Sequence, residues 1–183
     1  MGLGKTVSTL TALADLFDDF EISRALVIAP LRVARMTWPR EVETWDHIRG
    51  LSAQVIQGTP KQRQALLDHP SDIHFINREL VDWLVQQFRG KPWPYDTLVI
   101  DEASSFKSAS SRRFKALRRV VDQVERVLEL TGTPAPNSLL DLWPQMYLLD
   151  RGERLGKTFG KYRQSYFISD YMGYNWEPKE ETE

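Results

Sequence analysis

The chain has 183 residues, with 24 Lys and Arg against 25 Asp and Glu for a formal net charge of -1. At 42% apolar and 27% charged residues it has the composition of one packed domain, which excludes a disordered chain and, with its near-zero charge, a uniformly basic nucleic-acid binder, though not a local basic patch. The absence of Cys excludes disulfides, thiolate metal sites and a cysteine nucleophile; His47, His69 and His74 lack metal-ligand spacing, and no uncharged apolar run reaches the roughly 18 residues of a membrane span.

Met1-Gly2-Leu3-Gly4-Lys5-Thr6 leads into a helical pattern over Lys5–Phe17. Gly4-Lys5-Thr6 is the end of the phosphate loop G-x-x-x-x-G-K-[ST]. In that loop glycines let backbone N–H groups close around phosphates, the lysine reaches the β- and γ-phosphates, and the Thr hydroxyl binds Mg2+. The helix after it aims its positive dipole end at the anion. The motif's first two positions and the strand before it would precede Met1. Two other readings fit the same residues: a solvated N-terminus, and the N-myristoylation pattern Met-Gly-x-x-x-Thr with Gly2 as acyl acceptor. Residues further along must arbitrate.

Strands are predicted at Ala25–Ala29, Ala53–Ile56, Ile73–Ile76, Thr97–Ile100 and Val127–Leu130. The continuous apolar runs LVIA and LVI suit strands buried on both faces, as in a parallel sheet. Helices are predicted at Ala34–Trp45, Lys61–Leu67, Arg78–Phe88, Arg112–Val124 and Leu139–Leu149. Strand alternating with helix gives an α/β layer sandwich with right-handed crossovers, and ligands in such sheets gather at the carboxyl ends of the strands. From about Asp150 the pattern becomes irregular and aromatic, ending in EPKEETE, which reads as a solvated tail.

The chemistry lies just after the strands. Thr97–Phe106, TLVIDEASSF, ends a buried strand in the adjacent carboxylates Asp101 and Glu102. Such a pair is costly to bury unless a cation or a proton-transfer task uses it. In a phosphate-loop fold the first carboxylate holds Mg2+ and the second orients and deprotonates the attacking water. Leu130–Asn137, LTGTPAPN, empties another strand into a hydroxyl- and glycine-rich loop whose Thr side chains can bond the Asp-Glu loop; a turn capped by Asn137 or Ser138 fits as well. Arg112, Arg113, Lys115, Arg118 and Arg119 put five positive charges and no acid into eight residues. On a helix Arg112, Lys115 and Arg119 share one face, opposite Phe114, Leu117, Val121 and Val124. That basic face is either solvated or a phosphate contact. Trp38, Trp45, Trp83 and Trp93 fall at amphipathic or proline-flanked positions, which favour packing over the alternative of base stacking.

MGLGKT, ALVIAPLRVARMTWPREVETW, HFINRELVDWL, LVIDEASSFK and LTGTPAPNSLLDLWPQMYLLD resemble, in order and spacing, the first-lobe motifs of Swi/Snf-type DNA translocases of helicase superfamily two. The flavour is that of compact bacteriophage and bacterial versions. The resemblance covers residues 1–150 and implies a RecA-like, phosphate-loop three-layer sandwich around a mostly parallel sheet. It implies phosphate contacts by Gly2, Gly4 and Lys5, Mg2+ binding by Thr6 and Asp101, and Glu102 as general base. Thr131, Gly132 and Thr133 would couple nucleotide state to DNA binding. Segments at Pro30–Arg35, with Arg32 and Arg35, and at Asn77–Arg78 match motifs that touch the DNA backbone. The cofactors implied are ATP and Mg2+, the partners double-stranded DNA without sequence preference and a second RecA-like lobe that supplies an arginine finger. Residues 151–183 would be an aromatic helical extension and acidic tail leading toward that lobe, and the setting would be the cytoplasm of a bacterial or phage-infected cell. Where the family often has D-E-A-H this chain has Ser104, which bears on the sub-family more than on the ATPase. A phosphate-loop kinase or transport ATPase would explain Gly-Lys-Thr and Asp-Glu but not the later motifs, and a truncated interaction module would keep the fold without the motor.

Overall fold

The computed structural model describes residues 4–172 and 175–179. In chain order it contains α1 (Lys5–Asp18), β1 (Ala25–Ala29), a π-helical turn (Val33–Thr37) running into α2 (Trp38–Thr44), β2 (Ala53–Ile56), α3 (Pro60–Asp68) and β3 (Ile73–Asn77). Next come α4 (Val81–Gln87), β4 (Thr97–Asp101), α5 (Arg112–Leu117), β5 (Arg126–Leu130), α6 (Leu142–Asp150), α7 (Phe159–Tyr166) and two short strands, β6 (Phe167–Ser169) and β7 (Trp176–Pro178). The first five strands make one sheet in the order β2-β3-β1-β4-β5, every neighbouring pair parallel. The chain order reverses between β1 and β4, the kind of place where open α/β sheets leave a ligand crevice.

Alternation along the strands assigns the two faces. Ala25, Val27 and Ala29 of β1 join Leu10 and Leu13 of α1 and Trp38 and Val42 of α2 in one apolar layer. Leu26 and Ile28 face the other layer, with Leu84 of α4, Phe114 of α5 and Trp143 of α6. Because both faces of β1 are covered, all five of its residues are buried, which is why its sequence is uniformly apolar.

Register is pinned at the amino ends by two Asp–Ser clasps. Asp96, just before β4, accepts on Oδ2 from the backbone N–H and hydroxyl of Ser23, both at 2.7 Å. Asp72, just before β3, does the same for Ser52 ahead of β2, again at 2.7 Å to each donor. A one-residue slip would break these bonds and reverse each strand's faces.

Several helices depart from the sequence expectation. The pattern Ala34–Trp45 is a π-helical turn and then an α-helix. Arg78–Phe88 begins as a 3-10 turn, and so does Leu139–Leu149. Arg112–Val124 is helical only to Leu117; a turn and a 3-10 segment, Val121–Gln123, come after it and still bury Val121 and Val124. The aromatic segment after Asp150 is one helix and an antiparallel β6–β7 pair rather than wholly helical, and Glu177 and Pro178 of the expected tail lie in β7. That segment packs on the body of the domain. Trp143 Nε1 donates to the Gly156 carbonyl at 2.9 Å and Tyr162 OH to that of Leu139 at 2.8 Å, while within the segment the Arg163 guanidinium lies 4.2 Å from the Trp176 ring centre.

His74 of β3 is fully buried, with Nδ1 2.7 Å from the Tyr95 hydroxyl. Burial, helped by the Arg24 charge, lowers its pKa from 6.5 to about 4, while burial pushes the Tyr95 phenol up. The unfolded chain therefore binds the extra proton between these values, and stability is lost as pH falls from 6.5 through about 4. Denaturant titrations at pH 7 and 4.5 should show a loss in the wild type that exceeds that of His74→Phe by on the order of 2–3 kcal/mol. Equal losses would show that His74 does not govern acid sensitivity.

Candidate active site at the carboxyl ends of the strands

The amino end of the sheet locates the opposite rim. Phe17 and Asp18, at the end of α1, share a cleft with Ile22, Ser23, Asp72 and Asp96, which lead into β1, β3 and β4. α1 is 14 residues long, about 21 Å, against about 17 Å for a five-residue strand. Packed on the sheet through Leu10 and Leu13, it carries its own start to the carboxyl rim.

There Gly4 caps α1 in the left-handed region, φ 71° and ψ 12°. A Cβ at Gly4 would meet only ordinary contacts, 3.6 Å to Val7 Cγ1, so it is the positive φ that calls for glycine. Among the described residues no side chain caps the helix and no acid stands in its first turn, so its N–H groups and dipole suit an anion. Lys5 is exposed and Thr6 half-buried. Gly2 lies outside the described residues.

Asp101 ends β4, half-buried, and its Oδ2 accepts from Trp38 Nε1 at 3.0 Å. Glu102, next in the chain, has φ 55° and ψ 58°, a left-handed conformation that burdens a non-glycine residue by about 1–3 kcal/mol. It turns the chain out of the strand into the 3-10 segment Ala103–Phe106, anchored by the buried Ala103 and Phe106. After β5, Thr131 Oγ1 accepts from the Thr133 N–H at 3.2 Å, so this hydroxyl closes its own loop through Gly132, where a bond to the Asp-Glu loop was expected. The Pro134 carbonyl is held by Gln145 Nε2, and Ser138 caps the turn into α6.

The basic candidates separate. Arg32 and Arg35 are exposed after β1. Arg78, after β3, shares a cleft with Arg112 and Trp83, and Glu79 bridges Arg78 at 3.4 Å and Arg113 at 3.2 Å. Lys115 is exposed on α5. Arg119 lies in the turn beyond α5, in a cleft with Gly90, Lys91 and Gln123. Gln123 accepts from the Trp93 N–H, and Glu125 N–H bonds the Asp96 carbonyl, so this part of the chain heads for the amino ends of the strands. The structure thus brings Arg78 and Arg112 together and sets Arg119 apart from them.

Two residues have roles that the sequence does not show. Trp38 falls at a packing position, yet its indole also touches Asp101. Glu129 stands on β5 opposite Ile100, facing away from the Asp101 side of the sheet. Its Oε1 is buried without a partner among the described residues, and burial raises its pKa to about 8. A single acid inside the apolar run Val127–Leu130 was the available signal.

A parallel α/β sheet with a left-handed glycine opening a helix, and an acid pair at a neighbouring strand's carboxyl end, is the layout of a phosphate-loop nucleotide-binding lobe. The SNF2-related domain family matches residues 1–164, and the chain belongs to that family. Protein p41 of Acyrthosiphon pisum secondary endosymbiont phage 1 is 41% identical over 174 residues, which cover 91% of this chain and 38% of that protein. Helicase SWR1 of Saccharomyces cerevisiae is 34% identical over 155 residues, 81% of this chain and 10% of the helicase. The Sulfolobus solfataricus SWI2/SNF2 ATPase core, solved in complex with double-stranded DNA, superposes with a TM-score of 0.76 at 28% identity, covering 91% of this chain and 33% of that one. The chain therefore spans well under half the length of these relatives.

Glu129 gives a pH signature of opposite sign to that of His74. Its folded pKa of about 8 lies above the ordinary 4.5, so the folded state holds the extra proton and stability falls as pH rises from 4.5 through about 8. Glu129→Gln should gain a few kcal/mol over wild type between pH 5 and pH 8 in denaturant titrations. An unchanged difference across that range would contradict the burial of this carboxyl.

Proposed function

We propose that this chain is the nucleotide-binding lobe of an ATP-dependent double-stranded DNA translocase, with ATP and Mg2+ at the carboxyl rim. The observation that carries the reading is the start of α1 at Gly4-Lys5-Thr6 on the same rim as Asp101 and Glu102, in a chain of the SNF2-related domain family. The open N–H groups of α1 and the Lys5 ammonium would hold the phosphates. The Thr6 hydroxyl and the Asp101 carboxylate are hard oxygen donors and suit Mg2+, which typically takes one or two carboxylates and completes its shell with phosphates and water. Among the described residues no three His, Asp or Glu cluster as a metal cage, and a site of this kind needs none. When bound, Mg2+ would neutralise charge developing on the β- and γ-phosphate oxygens. Glu102 would accept the proton of the attacking water, and the Thr131-Gly132-Thr133 loop would pass nucleotide state to the DNA side.

Residues 1–150 would form the lobe and residues 151–183 lead toward a second RecA-like lobe that brings the arginine finger. β5 is the outer strand of its side of the sheet and is only half-buried, so a strand carrying the front of the phosphate loop would pair there. Arg32, Arg35, Arg78, Arg112 and Lys115 would meet phosphates of the duplex without reading bases, whereas Arg119, in its separate cleft with Gly90 and Gln123, would not share that surface. The DNA-bound Sulfolobus core supports this partner. Among the described residues no helix is long and apolar enough to cross a membrane.

The test is ATP hydrolysis with and without double-stranded DNA, for this chain and for a version extended at both ends. The extended protein should be stimulated by DNA in a salt-sensitive way, and Lys5→Ala or Glu102→Gln should lower its turnover by roughly 100-fold or more. The chain alone should run about 1,000- to 100,000-fold slower, for want of the arginine finger. Hydrolysis indifferent to DNA would point to another phosphate-loop ATPase, and full activity of the short chain would refute the two-lobe account.

A further inference from the structure

Trp38 is fully buried, among apolar side chains of the α1–α2 layer, its ring 6.0 Å from that of Phe75. Its one polar atom, Nε1, is spent on Asp101 Oδ2 at 3.0 Å, across 63 residues of sequence. This is the only hydrogen bond to the Asp101 carboxylate among the described residues. The reach depends on backbone geometry. β1 and β4 are adjacent, and the chain order reverses between them. After β1 the chain makes a π-helical turn, with the Trp38 N–H bonded to the Val33 carbonyl. A π turn inserts one residue relative to an α-helix and so rotates the downstream side chains by about 100° around the axis. Without it Trp38 would face elsewhere.

An indole N–H donates and never accepts. Bonded to one carboxylate oxygen, it fixes the orientation of the group and leaves Oδ1 without a hydrogen-bond partner among the described residues. We propose that Trp38 is a positioning residue that presents Oδ1 of Asp101 to a divalent cation accompanying the nucleotide. This rests on the nucleotide site proposed above. The π turn is then part of the site, because it aims the indole.

The role predicts a split between metal and nucleotide. Trp38→Phe keeps most of the ring volume and removes only the donor. The Mg2+ concentration for half-maximal effect on binding of a fluorescent ADP should rise roughly tenfold, as for other groups that orient a metal ligand. Affinity for the same ADP in EDTA, set by Gly4 and Lys5, should stay within about twofold. Phe75→Leu, which loosens the same cluster without touching Asp101, serves as the packing control and should leave the Mg2+ requirement unchanged. In the wild type saturated with ADP, adding Mg2+ should move the Trp38 indole N–H resonance, a readout that needs no variant to fold. An unaltered Mg2+ requirement in Trp38→Phe, an equal shift in Phe75→Leu, or an indole resonance blind to Mg2+ would overturn the positioning role while leaving the nucleotide site standing. Failure of the wild type to bind ADP in a Lys5-dependent way would overturn the site and this inference with it.

Discussion

In a sheet whose five strands all run one way, every strand must end at the same rim. This constraint organises the rest of the molecule. The two Asp–Ser clasps lock the amino ends of neighbouring strands level, so their carboxyl ends also come out level, and the loops after β1, β3, β4 and β5 open side by side. α1, packed back across the sheet, brings its start to that rim from below. The amino end is consequently the plain end of the domain, and the residues proposed to hold nucleotide gather at the other.

Regular geometry fails at that rim in three places: the left-handed Gly4, the left-handed Glu102 and the π turn ahead of Trp38. Glycine meets the first without cost, and the other two have buried groups beside them that hold them: Ala103 and Phe106 after Glu102, and Trp38 itself after the π turn. Strain of this kind persists where the surrounding core over-determines it. The core thus stabilises the fold and also keeps a set of unfavoured conformations at one edge.

β1 and β4 were legible in sequence because double-sided burial leaves an uninterrupted apolar run, and β1 falls where its run begins and ends, while β2, an edge strand of sequence AQVI, keeps its expected bounds without one. The Gly-Lys-Thr, Asp-Glu and Thr-Gly-Thr motifs were legible because their chemistry is carried by residue type. Less could be read where periodicity is ambiguous. Val33–Thr44 keeps a helical spacing whether its first turn is π or α, and Phe114, Leu117, Val121 and Val124 stay buried although α5 stops at Leu117. The Trp38–Asp101 bond joins two segments that only the sheet order makes neighbours. Nothing in the string TLVIDEASSF marks the left-handed turn at Glu102.

The nucleotide site at the carboxyl rim is the central claim. The most direct measurement is a set of amide spectra of this chain titrated with Mg2+ and ADP at concentrations high enough to see weak binding. Shifts confined to the first turn of α1, to Asp101–Ala103 and to Thr131–Thr133 are the predicted result. Shifts centred on the opposite cleft, at Ile22, Ser23 and Asp96, or none at saturating nucleotide, would contradict it.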